Sequence, residues 1–196
     1  MSEERKLTMS VYGAKLILVS TQQGMEGARD LALKMQQDGK GKVLNQFANP
    51  ANPAAHYHTT APEIWHQTDG EITHFISSMG TTGTIVGTSK FLKEKNSNIK
   101  IIGLQPYKDS KIAGIRKWPE EYLPSIFVKD NIDEIQEVLQ KDAEDTAKNV
   151  AIHEGIFVGI SAAAAIWSAI QLSASVSNAT IVAIACDRGD RYLSTG

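Results

Sequence analysis

A run of glycines and threonines, Gly80-Thr81-Thr82-Gly83-Thr84, carries the strongest chemical signal in the sequence. Glycine allows a close approach of the backbone or a positive φ angle, and threonine hydroxyls form hydrogen bonds without adding charge. The run follows an apolar segment and precedes a segment of helical pattern, which predicts a strand, a loop and a helix. Backbone N–H groups converge at a helix N-terminus, so a phosphate is the expected guest.

Two familiar phosphate-binding motifs do not match this loop. No Gly-Lys-Ser/Thr follows it, as in a Walker A motif, and its glycine spacing differs from G-x-G-x-x-G. On composition alone, an ordinary turn between a strand and a helix stays open as the alternative. A general nucleotide-phosphate binder is a further interpretation, which the missing signatures disfavour.

Cys186 is the only cysteine of the chain and directly follows an apolar segment. One interpretation is a small, buried, apolar residue. The other is a weak, neutral hydrogen-bond partner for a ring nitrogen at the carboxyl end of a strand. No basic residue is adjacent to it, so we do not predict a nucleophile. A single cysteine excludes an intrachain disulfide and a Cys-rich zinc site, and His56-x-His58 lacks a third ligand at a suitable spacing.

Strands and helices alternate along the chain and must position these residues. Helices are predicted at 3–12, 24–37, 54–65, 141–153 and 161–172, and strands at 15–19, 42–44, 72–76, 99–104, 125–128, 132–138 and 180–185. The continuously apolar strands predict an α/β fold with a doubly wound parallel sheet, in which 180–185 is central. Ligands bind at the carboxyl ends of such strands, so residues 80–84, the loop from Gln105 and Cys186 are expected to lie together.

Composition narrows the possible partners. The chain has 196 residues, 42% hydrophobic and 21% charged, and a net charge of −2. These values are typical of a globular domain and give no basic field for nucleic acid. No apolar run is long enough for a membrane span, and the first residues lack the apolar core of a signal peptide. We therefore expect a cytoplasmic protein with neither nucleic acid nor membrane as a partner.

Several motifs taken together resemble one family. They lie at 45–53, 56–57, 59–65, 79–84, 103–106, 114–119, 155–157 and 186–196. In combination they resemble the cysteine synthases, or O-acetylserine sulfhydrylases, of the fold type II pyridoxal-phosphate enzymes. The Met-Gly-Thr-Thr-Gly-Thr loop at 79–84, the Ile-Arg-Lys-Trp-Pro segment at 115–119 and Cys186 favour the B isozyme.

The resemblance implies pyridoxal 5′-phosphate as the cofactor and a β-replacement as the reaction. In this reaction sulfide or another thiol displaces acetate from O-acetylserine and cysteine is formed. By resemblance, Gly80, Thr81, Thr82, Gly83 and Thr84 hold the 5′-phosphate. Cys186 faces the pyridine nitrogen as a neutral partner, which suits elimination better than transamination.

The resemblance also implies residues for the substrate and a partner. Gln46 is expected to line the side of the substrate carboxylate, and Gly114 with Ile115 to border the mouth of the site. Arg116 is expected to assist a larger or anionic thiol donor, with a solvated surface arginine as the alternative. The implied partners are small molecules and a second copy of the chain, since the family forms homodimers.

Two motifs of the family do not occur in the 196 residues. The Schiff-base lysine of the family lies in a Ser-x-Lys-Asp-Arg motif, and the substrate carboxylate binds a Thr-Ser-Gly-Asn-Thr-Gly loop. We therefore assign no catalytic lysine. The expectation is an N-terminally truncated chain, with the C-terminal part of the small substrate domain at 1–42 and the large cofactor-binding domain at 43–196. Such a chain is expected to be inactive alone, and the alternative is a non-catalytic remnant or truncated subunit.

Three alanines depart from the pattern of the family. Ala61 stands where glycine is usual, and Ala162 and Ala163 stand where serine and glycine are usual. Their methyl groups are expected to fill space near the cofactor.

Overall fold

The computed structural model describes residues 2–195. Within this range the helices are α1 (Glu3–Val11), α2 (Gly24–Gln37), α3 (Ala51–His58), α4 (Thr60–Gln67), α5 (Gly83–Lys95), α6 (Gln140–Glu154) and α7 (Ile160–Ser173). The strands are β1 (His74–Ser78), β2 (Lys100–Pro106), β3 (Glu134–Val138) and β4 (Ile181–Ala183). Short 3₁₀ turns occur at Glu120–Tyr122, Gly189–Arg191 and Leu193–Thr195.

The four strands form one parallel sheet in the order β3-β2-β1-β4. In the register of β1 and β2, Phe75 lies opposite Ile101 and Ile76 lies opposite Ile102. Successive side chains of a strand point to opposite faces, so each strand supplies both faces with apolar groups. This arrangement explains why the strands read as continuous apolar runs.

Helices cover both faces of the sheet and create two apolar layers. On one face, Phe75 and Ile101 pack in a cluster with Leu92 of α5. On the other face, Ile76 packs in a cluster with two alanines of α7, Ala164 and Ala165. Alanine has a small side chain, which allows a helix to approach a sheet closely. The predicted doubly wound α/β fold is confirmed.

Asp133 ties α5 to the sheet just before β3. Its carboxylate accepts hydrogen bonds of 2.8 Å from Lys93 Nζ and 2.8 Å from the Ile101 backbone N–H. Lys100 Nζ lies 3.6 Å away on the other carboxylate oxygen. Burial acts to raise the pKa of Asp133, but the hydrogen bonds and the two lysine charges outweigh burial and hold this pKa below its ordinary value.

The first 44 residues are organised differently. Helices α1 and α2 contain no buried residue. The predicted strands at 15–19 and 42–44 do not form, and Ile17 and Leu18 are 54% and 57% exposed. A parallel strand is defined by hydrogen bonds to a neighbour, and no described strand lies beside these segments. The prediction of strands was therefore wrong for both segments.

Other differences from the predicted elements have local causes. No strand forms at 125–128, where the chain turns, and the predicted helix at 54–65 is interrupted at Thr59, whose backbone is not helical. The prediction that 180–185 is central was also wrong for residues 2–195, because within this range β4 pairs with β1 alone and lies at the sheet edge. A continuous apolar run indicates that both faces of a strand are buried. It does not indicate that the strand has a hydrogen-bonded neighbour on each side.

None of the helices within residues 2–195 has the length and apolarity needed to cross a bilayer.

Candidate active site

The glycine–threonine loop lies at the carboxyl end of β1 and leads into α5, as the sequence predicts. Thr82 immediately precedes the helix and has a φ of 72°. A positive φ is unusual for a β-branched residue and indicates local strain, which is typical of ligand-binding loops. The Thr82 hydroxyl is buried and has no hydrogen-bond partner in the described part of the chain. An anion at the N-terminus of α5 would satisfy this hydroxyl.

The two glycines of the loop serve close approach, while the positive φ falls on Thr82. A Cβ atom at Gly80 would lie 2.6 Å from the carbonyl oxygen of Gly114. A Cβ atom at Gly83 would lie 1.8 Å from Oδ1 of Asn52. Any larger residue at either position would push the neighbouring segment away from the loop.

Two polar side chains of α3 brace the threonines. The Asn52 side-chain amide donates to Oγ1 of Thr81 at 3.0 Å and to the Gln46 backbone carbonyl at 2.7 Å. The Gln46 side chain itself is exposed. Nε2 of His56 lies 3.2 Å from Oγ1 of Thr84, and burial lowers the His56 pKa, which favours the neutral imidazole. Asn52 was not singled out from the sequence, because it stands in a polar, turn-rich segment.

His56 therefore braces the loop through its contact with Thr84. Within residues 2–195, no group of three or more His, Cys, Asp or Glu side chains is arranged to hold a metal ion.

The segment that begins at Gly114 lies against the loop. Gly114 has a φ of 94°, and a Cβ atom there would lie 2.8 Å from Oγ of Ser161. The Arg116 backbone N–H donates to the Met79 carbonyl at 2.9 Å, and Trp118 Nε1 donates to the Gly80 carbonyl at 2.7 Å. These two bonds fix the segment to the loop, so the structure brings two of the predicted sets of residues together.

Ile115 and Arg116 differ in their surroundings. The Ile115 side chain is 4% exposed and packs in the apolar layer with Ile76. The Arg116 guanidinium lies 3.6 Å from Oε1 of Glu26 in α2 and 5.5 Å from the centre of the Trp118 ring. Arg116 is therefore partly exposed and held by two neighbours, and it is not a freely solvated side chain.

Cys186 lies three residues beyond the carboxyl end of β4. Because β4 is parallel to β1, this is the same end of the strands as the loop. Its sulfur is 3.2 Å from Oγ of Ser161, near the start of α7. The residue is open to solvent, yet the protein packed around the sulfur raises the thiol pKa by desolvation. The contact with Ser161 acts to lower this pKa and the Asp187 charge acts to raise it, and the net shift is upward. The thiol is therefore neutral near pH 7.

Ser161 and Asp187 were not predicted as site residues. Oγ of Ser78 donates to the Ser161 carbonyl at 2.7 Å and ties the end of β1 to α7. The Asp187 carboxylate accepts from Oγ of Ser161 at 3.1 Å and from the Ala162 backbone N–H at 3.3 Å. The position of Asp187 beside Cys186 was an available signal. The two unusual alanines, Ala162 and Ala163, are fully buried.

Comparison with known proteins identifies the family that has this fold and site. The model of the family described as "Pyridoxal-phosphate dependent enzyme" matches residues 1–187. The chain therefore belongs to the pyridoxal-phosphate dependent enzymes, and the resemblance seen in the sequence is confirmed.

Curated relatives give a more specific likeness. The chain is 58% identical over 193 residues to cysteine synthase B of Pseudomonas aeruginosa, with 98% of this chain and 64% of that protein covered. It is 57% identical over 196 residues to cysteine synthase B of Escherichia coli, with 100% of this chain and 65% of that protein covered. The chain thus spans slightly less than two thirds of the length of these relatives.

Solved structures share the fold. A cysteine synthase of Entamoeba histolytica superposes with a TM-score of 0.89 at 39% identity. The superposition covers 100% of this chain and 61% of the Entamoeba chain. An O-acetylserine dependent cystathionine beta-synthase of Helicobacter pylori has a TM-score of 0.89 at 31% identity, with 100% and 66% covered.

The residues present fit the cofactor of this family. The Thr82 hydroxyl is buried and unpaired at a helix N-terminus, where a phosphate group would satisfy it. The loop is free of side-chain carboxylates that would repel an anion. Cys186, a neutral group, lies beyond the carboxyl end of β4, the parallel neighbour of β1. These observations support a pyridoxal-phosphate site in the described part of the chain.

Proposed function

We propose that this chain carries the cofactor-binding part of a cysteine synthase. The reaction is the formation of cysteine and acetate from O-acetylserine and sulfide. The observation that carries the proposal is the buried, unpaired Thr82 hydroxyl at the start of α5. It belongs to a glycine–threonine loop in a chain 57% and 58% identical to two cysteine synthases B.

When bound, pyridoxal phosphate supplies the electron sink for the carbanion chemistry of the substrate. The residues of this chain bind and orient it. In this proposal, the backbone and hydroxyl groups of residues 80–84 hold the phosphate, with Asn52 and His56 keeping two of the threonines in place. Cys186 would face the ring nitrogen as a neutral thiol, which stabilises a protonated ring less than a carboxylate in direct contact would.

The substrate-facing residues remain as proposed from the resemblance. Gln46 lies on the side of the substrate carboxylate, and Gly114 with Ile115 borders the mouth of the site. Arg116 receives an anionic thiol donor when its contact with Glu26, at 3.6 Å, opens. Residues 1–42 then belong to the smaller domain and 43–196 to the larger one. We further propose a cytoplasmic homodimer, in line with the resemblance to the family.

A fusion protein tests the function. The parts of the Escherichia coli relative outside the match are joined to this chain in the order in which the relative has them. Cysteine formation from O-acetylserine and sulfide is then measured with pyridoxal phosphate present. We expect cysteine to form and Thr82→Val to raise the cofactor concentration needed. The fusion with Lys34→Ala, an exposed change remote from the loop, is the matched control. A folded fusion that binds the cofactor and yields no cysteine would contradict the proposal.

The second candidate function is a non-catalytic remnant or truncated subunit. The 196 residues contain no Ser-x-Lys-Asp-Arg motif, so this role is considered for these residues alone. We expect the isolated chain, treated with pyridoxal phosphate and borohydride, to show no single lysine labelled above the others in mass spectrometry. Strong labelling of one lysine would rule out this second role and restore a catalytic one to the isolated chain.

A further inference from the structure

The carboxylate of Asp187 joins three segments that are distant in sequence. Its Oδ1 accepts from Ser161 at 3.1 Å, and its Oδ2 accepts from the Tyr192 hydroxyl. The guanidinium of Arg5 in α1 lies 4.0 Å from Oδ2. The Asp187 side chain is only 13% exposed. A Cβ atom at Gly159 would lie 2.3 Å from its Cγ, so the carboxylate fits only because residue 159 is glycine.

The direction of the bond from Tyr192 is fixed by its neighbours. The Arg5 guanidinium donates to the Tyr192 oxygen, and its carbon lies 4.9 Å from the centre of the ring. The tyrosine proton is thus left for Asp187. Burial raises the pKa of Tyr192 and the bond to Asp187 raises it further, so Tyr192 keeps its proton and remains a donor.

The Ser161 hydroxyl has one proton to give and two neighbours to receive it. One neighbour is the Asp187 carboxylate at 3.1 Å and the other is the Cys186 sulfur at 3.2 Å. A carboxylate is a much stronger acceptor than a thiol, since charge-assisted hydrogen bonds are about twice as strong as neutral ones. The Ser161 hydroxyl therefore donates its hydrogen bond to Asp187, and its oxygen remains free to accept a hydrogen bond from another group.

We propose that Asp187 is a positioning residue that accepts the only hydrogen bond the Ser161 hydroxyl can donate. Ser161 can then only accept a hydrogen bond from the thiol of Cys186. The other acceptor near the thiol, Oδ1 of Asp187 itself, lies farther away at 3.7 Å. Both acceptors draw the thiol proton toward the protein. Asp187 thus orients the thiol and denies it a donor that would stabilise a thiolate.

The functional meaning of this arrangement rests on the proposed function. A thiolate beside the ring nitrogen of the cofactor would favour a protonated ring, whereas a neutral thiol does not. The charged or titratable groups that face Cys186 through this network are Asp187, Tyr192 and Arg5. Of these, Asp187 is the one in direct contact with both Ser161 and the sulfur.

The test uses the chain without cofactor and reads the thiol directly. Cys186 is the only cysteine, so the rate of alkylation by iodoacetamide reports this residue alone. Rates are measured from pH 6 to pH 10 and give the midpoint of thiol ionisation. We expect Asp187→Asn to lower this midpoint and to speed alkylation roughly three- to tenfold at a fixed pH below it. The control Asp190→Asn changes a carboxylate that pairs with Arg188, and we expect its rate to match the wild type.

The variant Ser161→Ala tests the direction of the hydrogen bond between Ser161 and Cys186. If Ser161 accepts the thiol proton, its removal leaves alkylation unchanged or faster in the wild type. In the Asp187→Asn background, Ser161 is free to donate to the thiolate, so the same change slows alkylation. Slower alkylation of the single Ser161→Ala variant would overturn the proposal, and so would an unshifted Asp187→Asn profile.

Circular dichroism checks folding, and the single Ser161→Ala variant decides the matter if Asp187→Asn does not fold. Because no cofactor is used, failure of this inference is distinguishable from failure of the proposed function.

Discussion

The sheet and the first 44 residues are stabilised in different ways. In the sheet, Phe75, Ile101 and Leu92 are fully buried between strands and α5. In contrast, α1 and α2 bury no residue and attach through polar and ring contacts. The glycine–threonine loop belongs to the part held by apolar burial, whereas the Glu26 partner of Arg116 belongs to the part held by polar contacts. We therefore expect residues 80–84, the proposed phosphate loop, to be rigid and the contact of Arg116 with α2 to be adjustable.

The attachment of α2 depends on one arginine. The Arg29 guanidinium lies 4.5 Å from the centre of the Phe47 ring and 5.5 Å from the centres of the Trp118 and Tyr122 rings. It also donates to the Tyr122 carbonyl at 2.6 Å, while the Tyr122 hydroxyl donates to Asp30 at 2.9 Å. Cation–π contacts of this kind contribute about 0.5–2 kcal/mol each. The second helix is therefore held mainly by the aromatic side chains around Arg29.

The largest expected effect is the loss of a buried side chain from the sheet. Phe75→Ala leaves a cavity between β1 and α5 and is expected to lower the free energy of unfolding by about 3–5 kcal/mol. Urea unfolding followed by circular dichroism measures the change. Ile17→Ala removes an apolar side chain that is 54% exposed and is expected to change the same quantity by less than about 0.5 kcal/mol. Equal effects of the two changes would contradict the contrast between the regions.

A smaller effect is expected from the ion pair that ties α5 to the sheet. Asp133→Asn is expected to lower the free energy of unfolding by about 1 kcal/mol near pH 7. The pKa of Asp133 is lowered in the folded state, so its stabilisation is present above the ordinary carboxyl pKa and disappears as the pH falls through the folded value. The stability difference from the wild type should therefore vanish in acid. Asp130→Asn, an exposed neighbour, is the control, and a difference that persists in acid would refute the role of the charge.

Much of the fold was predictable because local pattern and packing agree. The predicted helix at 24–37 coincides with α2, and the apolar segment before the loop contains most of β1. The segments at 15–19 and 42–44 show the limit, since their apolar composition favours strands but no described strand pairs with them. Composition reports the preference of a segment, and pairing depends on what lies beside it.

The candidate site was predictable only in part, for a similar reason. The residues from Gly80 to Thr84 carry a local signature, because a loop before a helix is encoded in adjacent residues. The network around Asp187 is not local, since its partners Arg5 and Ser161 stand far away in the sequence. The positive φ of Thr82 was also unpredictable, because threonine rarely adopts that conformation.

Replacing Arg29 is expected to speed amide exchange in α2 without speeding it in the sheet. Arg29→Ala removes the ring contacts of α2, so its amides should exchange with solvent roughly tenfold faster. The amides of β1 and β2 should exchange at unchanged rates, because the sheet does not depend on α2. Hydrogen exchange followed by mass spectrometry measures both, with Lys34→Ala on the exposed side of the same helix as the control. Faster exchange throughout the sheet would show that the two regions unfold together.

The most direct test of the central claim is a titration of the isolated chain with inorganic phosphate, followed by NMR. At millimolar phosphate we expect backbone amide shifts centred on residues 80–84, since these groups converge at the start of α5. Thr82→Val keeps the shape of the side chain but removes the unpaired hydroxyl, so it should weaken these shifts without reducing stability. Shifts that are absent from residues 80–84, or equal in the wild type and Thr82→Val, would contradict the assignment of this loop to the cofactor phosphate.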